Sequence, residues 1–390
     1  MTSRDPLRVT MVNKYYPPHL GGIEYHLRDL AEGLVAGGDA RVRAIVCNGE
    51  NRRAEDVVNG VEVVRLPRAA EASSTPIAFG FARELRAQAE ADPAPDVFHF
   101  HFPYPWGETA WLAARPDVPM VITYHSDIVR QRTALAAYRP LLDRFLDSAD
   151  LIIASSPNMI EHSEFLSARA DKCRHVDFGL HVERFAGDAV IEARAAQLRE
   201  EHEGRPIVLF VGRLIYYKGA DVLVRAMEHV GADLVMIGRG PLEGELRTIA
   251  TARGIQDRVR FIPPVDDAEL AAWYHAADVF VLPSVARSEA FGLVQIEAHA
   301  AGTPVVSTDL TTGVPYANLD GVTGLTVPVG DSGALAVALQ RLLIDDATRE
   351  KFGQQARERA LRDFTVERMV ENTLAVYDEA IEIHASRRKD

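Results

Sequence analysis

The sequence predicts an α/β chain of two doubly wound domains, each built on a mainly parallel sheet. Three observations predict it. Short β-branched apolar runs alternate with amphipathic stretches, which is the pattern of βα units. The alternation stops at a polar, charged stretch, 187–204, and then restarts. The chain has 390 residues, more than one core commonly holds, since domains run to about 100–200 residues.

In order, 7–12 reads as a buried strand, followed by a glycine-containing loop and a helix over 23–36. Strand-like runs follow at 42–47, 61–66, 97–101, 120–123 and 151–155, separated by helical or turn-rich sequence. After the polar stretch the second series begins with a strand at 207–211 and a helix at 219–230. It continues as strand 234–237, helix 241–253, strand 259–262, helix 267–276, strand 279–282, helix 291–301, and strands 305–307 and 324–327. A helical tail covers 332–387. The expected division is 1–187, 188–368 and a terminal helix 369–390. Ligands of open parallel sheets bind outside the carboxyl ends of the strands, so the informative residues should lie in loops that follow strands.

Bulk properties narrow the function. The net charge is −13, from 43 Lys+Arg against 56 Asp+Glu, which argues against a nucleic-acid partner. Residues 1–185 hold 21 basic against 25 acidic groups, a net of −4, and the remainder 22 against 31, a net of −9. The first half is therefore the less acidic. Cys47 and Cys173 stand alone and read as buried apolar residues. No run of about 18 apolar residues is present, so no spanning helix is expected. The N-terminal stretch reads as a first strand rather than a signal peptide, and a cytoplasmic location is expected.

Four loops carry candidate chemistry. The first, Tyr15-Tyr16-Pro17-Pro18-His19-Leu20-Gly21-Gly22-Ile23-Glu24, places two glycines before a helix start. It fits a close backbone approach to a phosphate and equally a plain turn. The second, 212–219, holds Arg213 and Lys218 between glycines at the opening of a helix. A guanidinium and an ammonium there suit a pyrophosphate, the alternative being a solvated basic pair. The third holds Glu289 and Glu297, eight apart, with Gly292 between them. Glu289 falls just before the helix and Glu297 about two turns inside it, an offset that returns to nearly the same face, so one carboxylate would hold sugar hydroxyls and the other a ribose diol. Two ordinary surface glutamates fit the same spacing. The fourth is His125, at the end of a strand, where a core or loop histidine is the plainer reading.

Smaller signals accompany these. Arg239 and Gly240 follow a strand and would border a nucleotide. His99 and His101 share one strand face as a possible metal pair, but no third ligand stands at a telling distance in sequence, and no metal is expected. Asp266 and Asp267 precede a helix and read as N-caps. Residues 128–147 carry Arg130, Arg132, Arg139 and Arg144 among apolar positions, fitting an ordinary surface helix or one resting on an anionic membrane surface.

Taken together, Gly21–Glu24, His125, Arg213 with Lys218, and Glu289 with Glu297 resemble the retaining glycosyltransferases of family 4, the group 1 enzymes of GT-B fold. The resemblance covers essentially the whole chain. It implies two Rossmann-like domains facing across a cleft, with the last helix crossing back to the first domain. It implies that Arg213 and Lys218 bind the donor diphosphate, Glu297 the ribose and Glu289 the transferred sugar. Backbone around Phe291, Gly292 and Leu293 would contact sugar and phosphate, Gly21 and Gly22 would admit the diphosphate, and the base would lie near Arg239, Gly240 and Val265. His125 would hydrogen-bond the donor sugar, so that His125, Arg213, Lys218 and Glu289 form the catalytic set. The acceptor side would use Tyr15, Tyr16, Glu24, His101, Ser126, Asp127 and Arg130. No metal is needed where Arg213 and Lys218 neutralise the diphosphate.

A narrower likeness is carried by 101–105, 123–131, 216–219 and 287–292. These segments resemble bacterial mannosyltransferases of O-antigen and exopolysaccharide assembly, implying GDP-mannose and a polyprenyl-diphosphate-linked or glycan acceptor, with peripheral contact at the inner membrane face. A UDP-glucose or other UDP-hexose donor is the alternative. A sugar-nucleotide 2-epimerase would not require the Glu289/Glu297 and Arg213/Lys218 combination. A non-catalytic binding module would not need the full set of site residues.

Overall fold

The computed structural model describes residues 5–19, 21–72, 75–127 and 132–389. The chain divides into two compact units, Met1–Leu180 with Val366–Asp390, and His181–Thr365.

The first unit is built on β1 (Leu7–Val12), β2 (Ala40–Cys47), β3 (Ala54–Val58), β4 (Val61–Leu66), a hairpin of β5 (Ala70–Ala72) and β6 (Thr75–Ile77), β7 (Val97–Phe102), β8 (Met120–Tyr124), β9 (Leu151–Ala154) and β10 (Cys173–His175). Its main sheet runs β10-β9-β8-β7-β1-β2-β4-β3 and is parallel except for the edge strand β3, which pairs antiparallel with β4. β7 and β8 are buried throughout, as strands covered on both faces must be, and their sequences are largely apolar apart from His99, His101 and Thr123. The helix Gly22–Ala36 turns Leu27, Leu30, Ala31 and Leu34 inward, the spacing of one helical face. Met369, Val370, Val376 and Tyr377 of the helix Val366–Arg387 join the same core. A Cβ on Gly33 would meet Val370 at 2.8 Å, so the two helices touch where the first has no side chain.

The second unit contains β11 (Ile207–Val211), β12 (Asp233–Ile237), β13 (Val259–Ile262), β14 (Val279–Leu282), β15 (Val305–Thr308) and β16 (Gly324–Val327). They form one parallel sheet in the order β13-β12-β11-β14-β15-β16. β12 flanks β11 on one side and β14 on the other, so the strand order reverses between β11 and β14. In the first unit the reversal falls between β1 and β7. These are the switch points at which doubly wound sheets open a crevice at the carboxyl ends of their strands.

Asp266 caps the helix Asp267–Ala276 by accepting from the Glu269 N–H at 2.9 Å, as its sequence position suggested. Both cysteines are free and buried. Among the described residues no helix is long and apolar enough to cross a membrane.

Candidate functional site

In the second unit the loops leaving β11 and β14 meet beside the switch point. The β11 loop passes through a short turn of 3-10 helix, Tyr216–Lys218, and closes on Gly219 at φ +64°. A Cβ at Gly219 would stand 2.0 Å from the Pro283 carbonyl oxygen, so only glycine lets the loops come this close. The Val285 N–H donates to the Tyr217 carbonyl at 2.8 Å, joining them further.

This junction brings Lys218 and Glu289 together, 71 residues apart in sequence. Lys218 Nζ lies 2.6 Å from Glu289 Oε2, with the side chains 11% and 9% exposed. Ser284 Oγ donates to the same oxygen at 2.9 Å. A largely dry ammonium and carboxylate sit at the mouth of the strand crevice, each held by the other. Arg213, five residues earlier in the same loop as Lys218, is exposed, and its guanidinium donates to the Tyr217 hydroxyl at 3.3 Å. Arg239, at the end of β12, is exposed, Gly240 is half-buried, and the Leu214 N–H donates to the Arg239 carbonyl. Val265 is half-buried in the loop after β13.

Glu289 precedes the helix, as the sequence suggests, but the helix starts later than 291, which puts Glu297 in its first turn rather than two turns inside. The helix begins at Val294 and runs only to Ala300, so Glu297 lies in its first turn and Glu289 in the preceding loop. Gly292 at φ +77° is the cause, because that left-handed residue keeps 289–293 out of the helix. Phe291 is buried and Leu293 half-buried. Glu297 accepts from the buried Tyr274 hydroxyl at 2.7 Å. Burial pushes its carboxyl up to about 7, while the Tyr274 hydrogen bond acts in the opposite direction.

The first unit holds the other candidates. His125 follows β8, its N–H donating to the Phe102 carbonyl at 3.1 Å. Its Nε2 lies 3.0 Å from His101 Nδ1. Burial holds His125 well below the usual imidazole range, and the neighbouring His26 and His99 reinforce this. His99 is engaged elsewhere, with Nδ1 against the Tyr377 hydroxyl and Nε2 against Thr123 Oγ1, each at 2.7 Å. A third imidazole, His26 of the helix Gly22–Ala36, packs on His125 with ring centroids 4.9 Å apart. The imidazoles that converge are thus those of His26, His101 and His125, from three separate elements, and His99 of the sequence pair is not among them. His26 was legible only as a polar residue on the buried face shared with Leu30 and Leu34. Ser284 and Tyr274, which hold the two glutamates, carried no sequence signal.

The acceptor candidates separate. Tyr16 and His101 are each 1% exposed, so neither side chain presents itself at the surface, which corrects the expectation that they contact an acceptor. The cause is packing: Tyr16 belongs to the core cluster and His101 to the buried strand β7. Asp127 Oδ1 is taken by the hydroxyls of Tyr124 and Ser163 at 2.9 and 2.7 Å. Tyr15 stacks on His19, Glu24 and Ser126 are half-buried, and Gly22 is exposed with nothing within 4 Å of a Cβ placed on it. A Cβ on Gly21 would meet only the flexible end of Glu24. Arg130 lies outside the described residues. Arg139 of the neighbouring helix Arg132–Ser148 pairs with Glu164 at 2.7 Å, so its charge is not free for an anionic surface, whereas Arg144 is exposed.

Two doubly wound units, with cationic and acidic side chains converging at the switch point of the second, are the architecture of GT-B glycosyltransferases, and comparison with known proteins places the chain in that class. Residues 193–359 match the family described as "Glycosyl transferases group 1", and residues 21–179 match the "Glycosyl transferase 4-like domain". An O-antigen chain mannosyltransferase of Escherichia coli is 33% identical over 377 residues, 96% of this chain and 99% of the relative. A D-rhamnosyltransferase of Pseudomonas aeruginosa is 38% identical over 247 residues, 63% of this chain and 64% of the relative. Sucrose-phosphate synthase from Thermosynechococcus elongatus is similar in structure with a TM-score of 0.77 at 26% identity, covering 96% of this chain and 99% of that one. The chain belongs to the group 1 glycosyltransferases, enzymes of hexosyltransferase type that use sugar-nucleotide donors.

Proposed function

We propose that this enzyme transfers mannose from GDP-mannose, with retention of configuration, to a polyprenyl-diphosphate-linked or glycan acceptor in cell-surface polysaccharide assembly. The observation that carries the site reading is the dry Lys218–Glu289 pair at the β11–β14 switch point. The sugar reading is supported by the relatives, one named for mannose and one for D-rhamnose, which is 6-deoxymannose.

On this reading Arg213 and Lys218 receive the donor diphosphate and stabilise the charge that grows on it as the sugar–phosphate bond breaks. Lys218 then stands between phosphate and Glu289, and Glu289, oriented by Ser284, accepts from the sugar hydroxyls. Glu297 accepts from the ribose diol. Backbone at Phe291, Gly292 and Leu293 contacts sugar and phosphate, and Arg239, Gly240 and Val265 border the base. His125, held neutral by burial, hydrogen-bonds the transferred sugar, and Gly22 leaves open space for the phosphates. The acceptor hydroxyl attacks the face the leaving group departs from, and the leaving phosphate takes its proton. Arg213 and Lys218 do the neutralising that a metal would otherwise do. Tyr15, Glu24 and Ser126 remain as acceptor contacts, and the enzyme would work at the inner membrane face, where lipid-linked acceptors are held.

The test is incorporation of label from GDP-mannose and from UDP-glucose into a panel of polyprenyl-diphosphate-linked saccharides. Mannose incorporation is the expected result. Transfer from UDP-glucose alone would move the donor, and no transfer from either would overturn the reading.

A further inference from the structure

Three histidines of the first unit, His125 among them, form a buried cluster. His26, His101 and His125 come from a helix, the end of β7 and the loop after β8, and their nearest ring nitrogens all lie within 4.8 Å of one another. All three are buried, with exposures of 6%, 1% and 6%. Both nitrogens of His26 and Nε2 of His101 have no hydrogen-bond partner. Unpartnered polar atoms in a buried site are costly, and three together need an explanation. Phe178 covers His26 and His125 on one side, while His99 stacks behind His101.

The chemistry of the donor set is narrow. Imidazole nitrogens suit zinc, copper, nickel and cobalt rather than magnesium or calcium, which take oxygen. Three histidines with an open fourth position are a known arrangement for zinc, with Zn–N distances of about 2.0–2.1 Å and hence tetrahedral N···N separations of about 3.3 Å. The observed nitrogen spread is up to 4.8 Å, so binding would draw the three rings together. Ligands must be unprotonated, and burial already keeps these imidazoles neutral, with His26 down at about 3.

We propose that His26, His101 and His125 form a binding site for one divalent transition-metal ion of the zinc class, and that its occupation withdraws the His125 imidazole from sugar transfer. The binding half stands on the cluster's geometry. The inhibitory half rests on the reading of His125 as the group that meets the donor sugar. Coordination at His125 breaks its contact with His101 and turns its nitrogen lone pair to the metal. No carboxylate belongs to the triad, so the filled site keeps its positive charge, as suits a reversible inhibitory ion.

The test uses the full-length chain without a histidine tag. Cobalt(II) titration is expected to give the visible absorption of a tetrahedral site, saturating at one equivalent and abolished by added zinc. His26→Phe, which keeps an aromatic ring in the pocket, and His101→Asn should each lose that absorption while keeping the wild-type circular dichroism. One equivalent of zinc should lower transfer by wild-type enzyme at least tenfold, reversibly with chelator, and leave His26→Phe transfer unchanged. No cobalt absorption, or absorption that survives in both variants, overturns the site. Absorption that depends on His26 without zinc inhibition keeps the site and overturns the role given to His125.

Discussion

Lys218 and Glu289 offer a way to separate what the site does for the fold from what it does for the reaction. Their side chains are 11% and 9% exposed and 2.6 Å apart. Lys218→Met keeps the stem and removes the charge, leaving the Glu289 carboxylate buried with, among the described residues, the Ser284 hydroxyl donating to it. Stranding one member of a buried pair costs about 3–5 kcal/mol, and the Ser284 hydrogen bond puts this case near the lower figure. That corresponds to a urea midpoint lowered by roughly 1 M at a slope of about 3 kcal/mol per molar. The double variant Lys218→Met/Glu289→Gln removes both charges, and replacing a whole buried pair is often close to neutral. Its midpoint should return to within about 0.3 M of wild type. Turnover should not return, because loss of a positioned cation at a developing charge costs about 10²–10³ in kcat. Urea denaturation and labelled-sugar transfer on the same three proteins decide it. Recovery of turnover together with stability in the double variant would refute the donor role and leave Lys218 a structural residue.

Further expectations concern the neighbouring groups. Glu297 is neutral in the folded protein up to about 7, against an ordinary 4.5, so its burial favours folding below the ordinary value and that contribution is lost as pH rises to about 7. Ribose binding needs the carboxylate, so nucleotide affinity should rise with pH below about 7 and level above it, and Glu297→Gln should show no such slope beyond that of the nucleotide itself. Tyr274→Phe removes the hydroxyl that holds Glu297 down, which should move the inflection upward and cost about 1 kcal/mol of stability. An unmoved inflection in calorimetry would contradict this. Gly219→Ala should lower the urea midpoint by an amount equivalent to about 1–3 kcal/mol and impair turnover by shifting Lys218, since its Cβ meets Pro283 at φ +64°. A stable, fully active variant would refute the loop geometry. Because His125 stays neutral, kcat of Glu297→Gln should show no histidine inflection near the usual 6.5, and finding one would contradict its burial.

The inner strands of both sheets were legible because parallel strands covered on two faces are written as unbroken apolar runs, as in 207–211 and 279–282. The edge strands β3, half-buried only at its ends, and β10, three residues long, were not, because a half-solvated edge carries a polar, charged sequence. Arg213, Lys218, Glu289 and Glu297 could be picked out because each stands in or just beyond a loop that follows a strand. How they are held could not. The Gly292 turn moved the helix start by three residues from the expected 291, and of the partners Ser284 sits five residues before Glu289 in the same loop while Tyr274 comes from the helix Asp267–Ala276. The histidine cluster was hidden for the same reason, since His26, His101 and His125 share no sequence window and converge only through the sheet order β8-β7-β1 and the helix above it.

The most direct test of the central claim is calorimetric titration of the purified protein with GDP, UDP and ADP, with chelator present and no added metal. The account predicts selective binding of GDP, weakened by Lys218→Met. Selective binding of UDP would contradict the GDP-mannose assignment, and no binding of any of the three would contradict the donor site itself.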